Sequence, residues 1–359
     1  MDPAVSPTDP SPQPDPLSSP LHTTSSQSPI SFASPDDISP SLSSLLSLCH
    51  RGQWNLLLSS LPSSSPLSHP PHLHLLHSTL SALSLFKLRR YPDLSRLLST
   101  LSPLDSPQYH FQSYPSTYPH LSGSFVPFSL RILHALLPHR LGDRPQTLDR
   151  LYDLLCLCRT HHWPHRESHV LSLLFAHHFS YKEYDVALSL IQEMLEEDPS
   201  DPVALSRLGY LQLQIGDLNG ANSSFQRVES VIKEAGLDTD ASKGNLIGRN
   251  KALGFVVAKD YTSAVREYET CIERDSADVV AVNNKAVCLM YSRDLSDAVK
   301  GLETALERIP TVAVDETVVV NLCSMYELAF VNHAEVKKTL ATWIQQVAPD
   351  DFDPSCTRI

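Results

Sequence analysis

Ala187-Leu-Ser-Leu-Ile191, Ala221-Asn-Ser-Ser-Phe225, Ala264-Val-Arg-Glu-Tyr268 and Ala298-Val-Lys-Gly-Leu302 each set an alanine four residues before a bulky side chain. On a helix, residues four apart share a face. The alanines are separated by 34, 43 and 34 residues. With the alanine as position 20 of a 34-residue unit, the units begin at Ser168, Pro202, Asn245 and Val279. The nine surplus residues fall in the polar run from Gly236 to Gly244. Position 8 reads Phe175, Gly209, Ala252 and Ala286, three of four small, and position 32 reads Pro199, Lys233, Ser276 and Pro310. A 34-residue period with small residues at positions 8 and 20 is the tetratricopeptide pattern. Small side chains let two antiparallel helices approach, and large ones fill the gap to the next unit. The expected fold class is all-α: a tetratricopeptide-repeat α-solenoid over 168–312, with a disordered N-terminal tail.

Working outward, residues 1–40 hold ten Pro and no Lys or Arg. Such a segment buries too little apolar surface to offset its ordering entropy, so a disordered Pro/Ser-rich tail is expected. It lacks the basic start and apolar centre of a secretory signal. Ser6-Pro7, Ser28-Pro29, Ser34-Pro35 and Ser39-Pro40 are candidate kinase sites within it. Residues 41–127 read as degenerate helical hairpins, with Gly52 as a break and Pro-rich loops at 62–71 and 102–127. Residues 128–167 read as a hairpin, its first helix ended by Pro138, followed by a His-rich linker over 160–167. After the four repeats, 313–349 reads as a helical pair that caps the array. Residues 350–359 read as a frayed C-terminal tail.

Charge divides the chain. Residues 1–167 carry 11 acidic and 11 basic side chains, and residues 168–359 carry 29 and 17, so the net charge of −12 sits in the half that holds the repeats. An acidic array argues against nucleic acid as the main partner, because phosphate binding needs clustered Lys and Arg. Residues 51–167 are basic, six acids against eleven bases, and are expected to offer a docking surface for an acidic neighbour or for the acidic array of another copy. No run of ~18 apolar residues marks a membrane span. Seven scattered Cys without framework spacing fit reduced thiols in a cytosolic protein.

A search for chemistry finds no Gly-rich phosphate loop and no Gly-x-Ser-x-Gly elbow. No cofactor, metal site or catalytic residue is expected. Cys156 and Cys158 point to different sides of a helix. His161, His165 and His169 recur every four residues, but Pro164 interrupts them and no Cys or carboxylate pair completes a ligand set. Binding is the more informative reading. In tetratricopeptide repeats, positions 2, 5, 9 and 12 of the first helix line the concave groove. Those positions give His169, Val203, Leu246 and Val280; Ser172, Ser206, Arg249 and Asn283; Ala176, Tyr210, Leu253 and Val287; and Phe179, Leu213, Val256 and Met290. The candidate protein-binding residues are Tyr210, Leu213, Leu246, Arg249, Leu253, Val256, Val280, Asn283, Val287 and Met290. A mostly apolar stripe fits an amphipathic or extended apolar segment, unless residues 41–127 of the same chain cover it.

Val126-Pro-Phe-Ser-Leu-Arg-Ile-Leu133, Leu148-Asp-Arg-Leu-Tyr-Asp-Leu-Leu155, Val282-Asn-Asn-Lys-Ala-Val-Cys-Leu289 and Asn321-Leu-Cys-Ser-Met-Tyr-Glu-Leu328 resemble blocks of the subunit 12 family of the trafficking protein particle (TRAPP) complex. The resemblance runs from about Phe125 to the C-terminus. The asparagine pair and the Met-Tyr-Glu-Leu block are not demanded by the repeat, so they carry it best. The N-terminal tail has no counterpart. The family implies a non-catalytic scaffold joined to the other TRAPP subunits, especially the large peripheral ones. It implies an indirect link to a Rab-type GTPase, and work in endoplasmic reticulum-to-Golgi transport and autophagy. The implied location is cytoplasmic, peripheral at Golgi or intermediate-compartment membranes, without membrane insertion. The rival is a stand-alone tetratricopeptide adaptor such as a co-chaperone.

Overall fold

The four alanines of the repeat are all fully buried, and the residues four positions on are buried with them: Ile191, Phe225, Tyr268 and Leu302. They sit where each second helix of a hairpin meets its partner, in a computed structural model that describes residues 40–61 and 70–358. The expected disordered tail and its Ser-Pro serines lie outside the described residues.

Among the described residues, eight antiparallel hairpins follow one another. They are α1 (Pro40–His50) with α2 (Trp54–Ser60), α3 (Pro71–Lys87) with α4 (Tyr91–Thr100), and α5 (Phe128–Arg140) with α6 (Arg144–Thr160). Next come α7 (Pro164–Ser180) with α8 (Tyr184–Glu197), α9 (Pro202–Ile215) with α10 (Leu218–Glu234), and α11 (Ala241–Val257) with α12 (Tyr261–Arg274). Last are α13 (Val279–Tyr291) with α14 (Leu295–Arg308), a short α15 (Pro310–Ala313), and α16 (Glu316–Ala329) with α17 (His333–Val347). Successive helices pack on one another throughout, which is the contact pattern of a solenoid.

Four hairpin turns, those before α6, α10, α12 and α14, share one chemistry. The first helix closes on a residue in the left-handed region, and an aspartate side chain then caps the second. Gly142 (φ 89°) precedes Asp143, and Gly216 (φ 87°) precedes Asp217. The Asp143 carboxylate accepts from Gln146 N at 3.0 Å and that of Asp217 from Gly220 N at 2.9 Å. Glycine adopts this backbone freely, whereas Lys182, Lys259 and Arg293 adopt it at a cost of about 1 kcal/mol each. Gly209, at position 8, leaves room for the Phe225 ring of α10: a Cβ there would lie 2.4 Å from it.

Several features depart from the sequence reading. The His-rich segment 160–167 is not a linker. Pro164 opens α7, in the first turn where a missing N–H costs nothing, and His165 and His169 are helical. The surplus of the middle unit is split between a 17-residue α10, the connection 235–240 and an α11 that starts four residues early, at Ala241. Residues 350–358 are not frayed. They run across the α16–α17 pair, where Cys356 is buried in a 3₁₀ turn at Pro354–Thr357. The Pro-rich loop is no departure: residues 101–127 form an irregular layer whose Tyr109, Phe111, Tyr114, Tyr118 and Phe125 rings pack edge on edge over α3 and α5.

Pro138 does not end α5, which continues to Arg140. Proline removes the hydrogen bond to the carbonyl four residues back, here that of His134. The Arg150 guanidinium, from α6, donates to that oxygen at 2.7 Å. Arg150→Met is therefore expected to cost about 1.5–2 kcal/mol, the worth of a charge-assisted bond to a half-buried carbonyl, seen as a lower thermal midpoint.

Candidate functional site

The first helices of successive hairpins, α7, α9, α11, α13 and α16, stand side by side. These helices are tied together by a run of side-chain hydrogen bonds, made mostly from positions 5 and 6 of the repeats. Arg207 Nη1 donates to Ser172 Oγ at 2.8 Å, and Ser206 Oγ donates to Asn250 Oδ1 at 2.8 Å. Arg249 Nη1 reaches Asp278 Oδ1 at 3.3 Å, and Asn321 Nδ2 donates to Asn283 Oδ1 at 2.8 Å. Thus each junction from α7 to α16 carries at least one rung.

Asp278 is the most heavily used member. It is buried, yet its carboxylate accepts from Asn245 Nδ2 at 2.8 Å and from Ala281 N at 3.0 Å, besides Arg249. A buried charge is tolerated when its lone pairs are met in this way. Asn284, next to the rung residue Asn283, faces the other way and donates to the buried Tyr268 hydroxyl at 3.5 Å. The asparagine pair therefore joins one repeat to the hairpin before it and to the helix after it.

Around these rungs the candidate apolar residues spread in two groups. Tyr210 and Val280 are exposed, at 39% and 52%. Leu213, Leu246, Leu253, Val256, Val287 and Met290 are half-buried. Val287 and Met290 back onto the α13–α16 core, Val256 onto the Tyr268 cluster, and Leu246 onto the core of α9 and α10. Tyr210 packs on Phe179 of the preceding repeat, ring centroids 5.4 Å apart. The principal contacts of α1–α4 are with one another and with α5, and Leu253 and Val287 keep part of their surface free. Arg249 and Asn283 are half-buried and engaged within the chain, so the concave face presents apolar surface with its polar donors already committed.

A second cluster gave no signal in the sequence. Tyr152 Oη lies 3.1 Å from His178 Nε2, and His178 Nδ1 lies 2.6 Å from Glu183 Oε2, which Arg144 also pairs with. This hydroxyl–imidazole–carboxylate series has the connectivity of a nucleophile relay. Its electrostatics point elsewhere. Burial and the Glu183 carboxylate raise the Tyr152 pKa, so the phenol stays protonated. Hydrogen bonds from His178 and Arg144 hold the Glu183 carboxyl below its ordinary range. The series pins α6, α7 and α8 together. Its residues come from α6, α7 and the α7–α8 turn, 26 and 5 positions apart, so no local motif announces it.

The remaining candidates for chemistry separate in space. Cys156 is exposed and Cys158 buried, with the Cys158 thiol pushed up to about 11 by burial. His161 stacks on Trp163 at 4.7 Å in the α6–α7 turn. Among the described residues no group of three or more His, Cys, Asp or Glu is placed to hold a metal ion, and no helix is long and apolar enough to cross a membrane.

No family model matches the chain. Two curated relatives do: trafficking protein particle complex subunit 12 of Mus musculus and of Homo sapiens. Each is 28% identical over 304 residues, covering 77% of this chain and 38% and 41% of the respective relative. The chain thus spans about two fifths of the length of the relatives it matches. Solved structures that align include a tetratricopeptide repeat protein from Parabacteroides merdae, 14% identical, TM-score 0.45, covering 80% of this chain and 96% of that one. A thermophilic repeat protein of Thermus thermophilus aligns at 17% identity and TM-score 0.39, over 54% of this chain and 100% of that one. The chain is a tetratricopeptide-repeat α-solenoid whose sequence is similar, over 77% of its length, to subunit 12 of the trafficking protein particle complex.

Proposed function

We propose that the chain is a non-catalytic scaffold subunit of a TRAPP-type vesicle-tethering complex, and that it holds an apolar segment of another subunit in its concave groove. The similarity to subunit 12 over 77% of the chain carries this reading. The partners are other TRAPP subunits, the large peripheral ones first, with a Rab-type GTPase reached only through the assembly. The processes served are endoplasmic reticulum-to-Golgi transport and autophagy, from a cytoplasmic, peripheral position at Golgi-side membranes. The groove supports a segment-binding role, because its partly exposed apolar residues line one face while its polar groups are internally paired.

The stand-alone co-chaperone reading is weaker for the same reason. Clamping a terminal carboxylate takes free cationic and amide donors, and Arg249 is spent on Asp278 while Asn283 is spent on Asn321 and Asn284.

The test is affinity purification of the tagged full-length protein from its native cells at mild salt, with identification of what accompanies it. TRAPP subunits are expected, and heat-shock chaperones in their place would overturn the assignment. Leu253→Asp with Val287→Asp is expected to reduce recovery of those subunits at least about tenfold, since two charges would have to be buried against an apolar segment. Helical circular dichroism should be unchanged, because both side chains are already partly in water. Full recovery with the double variant would remove the groove from the interface.

A further inference from the structure

The two ends of the solenoid meet. Pro349 lies against Gly52 in the α1–α2 turn, where a Cβ on the glycine would come within 2.6 Å of the proline Cβ. Asp350 N donates to Gly52 O at 3.1 Å, and Asn55 N donates to Asp350 Oδ2 at 2.9 Å. Lys87 Nζ stands 3.1 Å from Asp351 Oδ2. Arg89 pairs with both Asp353 and Glu316. The chain of helix contacts that begins at α1 is in this way closed by residues 349–353, and the array becomes a ring.

The two sides of this strap are held differently. Toward α16 and α17 the grip is apolar: Cys356 is buried with Val319, Cys323 and Ile344, and Phe352 packs on the same cluster. Toward α2 and α3 it is made of ion pairs, those of Arg89 exposed and that of Lys87 part-buried, and of two hydrogen bonds, one between backbones and one from Asn55 N to the Asp350 carboxylate, beside the Pro349–Gly52 contact. Exposed ion pairs are weak and screened by salt. Arg89, which makes two of the three ion pairs, stands in the left-handed region at φ 58°, as Lys182, Lys259 and Arg293 do in their turns.

We propose that residues 349–358 form a latch, anchored for good on the C-terminal hairpin and reversibly seated on the α1–α4 block. Its release opens the ring and widens access to the concave face. The latch stands on the contacts above, whatever the partner is. The gating of the concave face rests in addition on the groove reading, and the two halves fail separately.

The full-length protein serves for the test, with small-angle X-ray scattering and digestion by an endoproteinase that cuts before Asp350, Asp351 and Asp353. Raising NaCl from about 50 to about 500 mM is expected to enlarge the radius of gyration and to speed cleavage about fivefold, as screening would for a seam of ion pairs. Arg89→Glu is expected to give the open form at low salt. Adding Asp353→Arg and Glu316→Arg to it should restore closure, which a merely damaged fold would not do. Gly52→Val opens the seam by steric push at any salt and stands in if Arg89→Glu fails to fold. A wild-type radius and cleavage rate unaffected by salt, by Arg89→Glu and by Gly52→Val would overturn the latch. The gate is read by placing Val287→Cys in the groove and following its labelling by a polymer-tethered maleimide, site by site in a mass spectrometer. Labelling should accelerate in the open variants. An open ring with unchanged labelling would leave the latch and overturn the gate.

Discussion

Tyr268→Ala is expected to lower stability by about 3–5 kcal/mol, the range found when a buried aromatic side chain is truncated. Tyr268 is 1% exposed, and its surroundings explain why the loss should be near the top of that range. The buried residues packed with it are Ala252, Ala264, Cys271, Ala281 and Cys288. One ring fills a space that five small side chains line. These small residues sit on three helices of two hairpins, α11, α12 and α13, and none of them reaches into the void that the ring would leave. The Tyr268→Phe variant is the control. It gives up only a long contact with Asn284 and should cost no more than about 1 kcal/mol. Urea unfolding followed by circular dichroism reads both. In the alanine variant the coupling between neighbouring hairpins weakens, so its transition should broaden or split rather than merely shift.

Acidification is expected to destabilise the α5–α8 region by up to about 3 kcal/mol between pH 6.5 and pH 4, through His177. Its ring is buried, its Nε2 has no hydrogen-bond partner, and His139 lies 5.0 Å away, with Tyr181 at 5.3 Å. Burial first, then His139, Arg144 and His178, push its pKa down to about 4, while the nearby Glu183 opposes them. The sign follows. Between pH 4 and 6.5 the unfolded chain carries the proton and the folded chain does not, so stability rises with pH across that window. It is fully present above pH 6.5. His177→Phe keeps an aromatic ring among its neighbours and removes the titration. The difference in thermal midpoint between variant and wild type should therefore grow as the pH falls from 7 to 4.5. A constant difference would mean that His177 is as readily protonated in the folded protein as in the unfolded one. His72, His134, His139 and His169 are also lowered by burial, so only the difference, and not the wild-type slope, isolates this residue.

What was legible in the sequence follows its local periodicity. The buried state of Ala187, Ala221, Ala264 and Ala298 is written in a four-residue spacing inside one helix, and a repeat states it four times. Helix starts were less legible where two signals compete. Pro164 reads as a break among histidines, yet proline is favoured at the first helical position, and α7 begins there. Pro138 reads as a terminator until Arg150, twelve residues on, supplies the missing donor. The seam between residues 349–353 and α2–α3 left no trace at all. Its partners are 264 to 298 residues apart and are ordinary charges and turn residues, without any spacing that marks them. For the candidate groove, the positions came from the repeat register. That the polar ones are already paired is a matter of neighbouring helices, and sequence spacing does not show it.

The rungs between Ser172, Arg207, Asn250, Asp278 and Asn321 have a mechanical meaning. Apolar contacts between helices slide with little change in energy over small displacements, whereas a hydrogen bond weakens steeply with length and angle. The solenoid is therefore stiffer along its inner rim than along its outer one. Bending that tightens the curve compresses soft packing, while bending that unrolls it stretches a file of short, directional bonds. Such a body resists straightening and yields to twist, much as a leaf spring laminated on one side keeps its set.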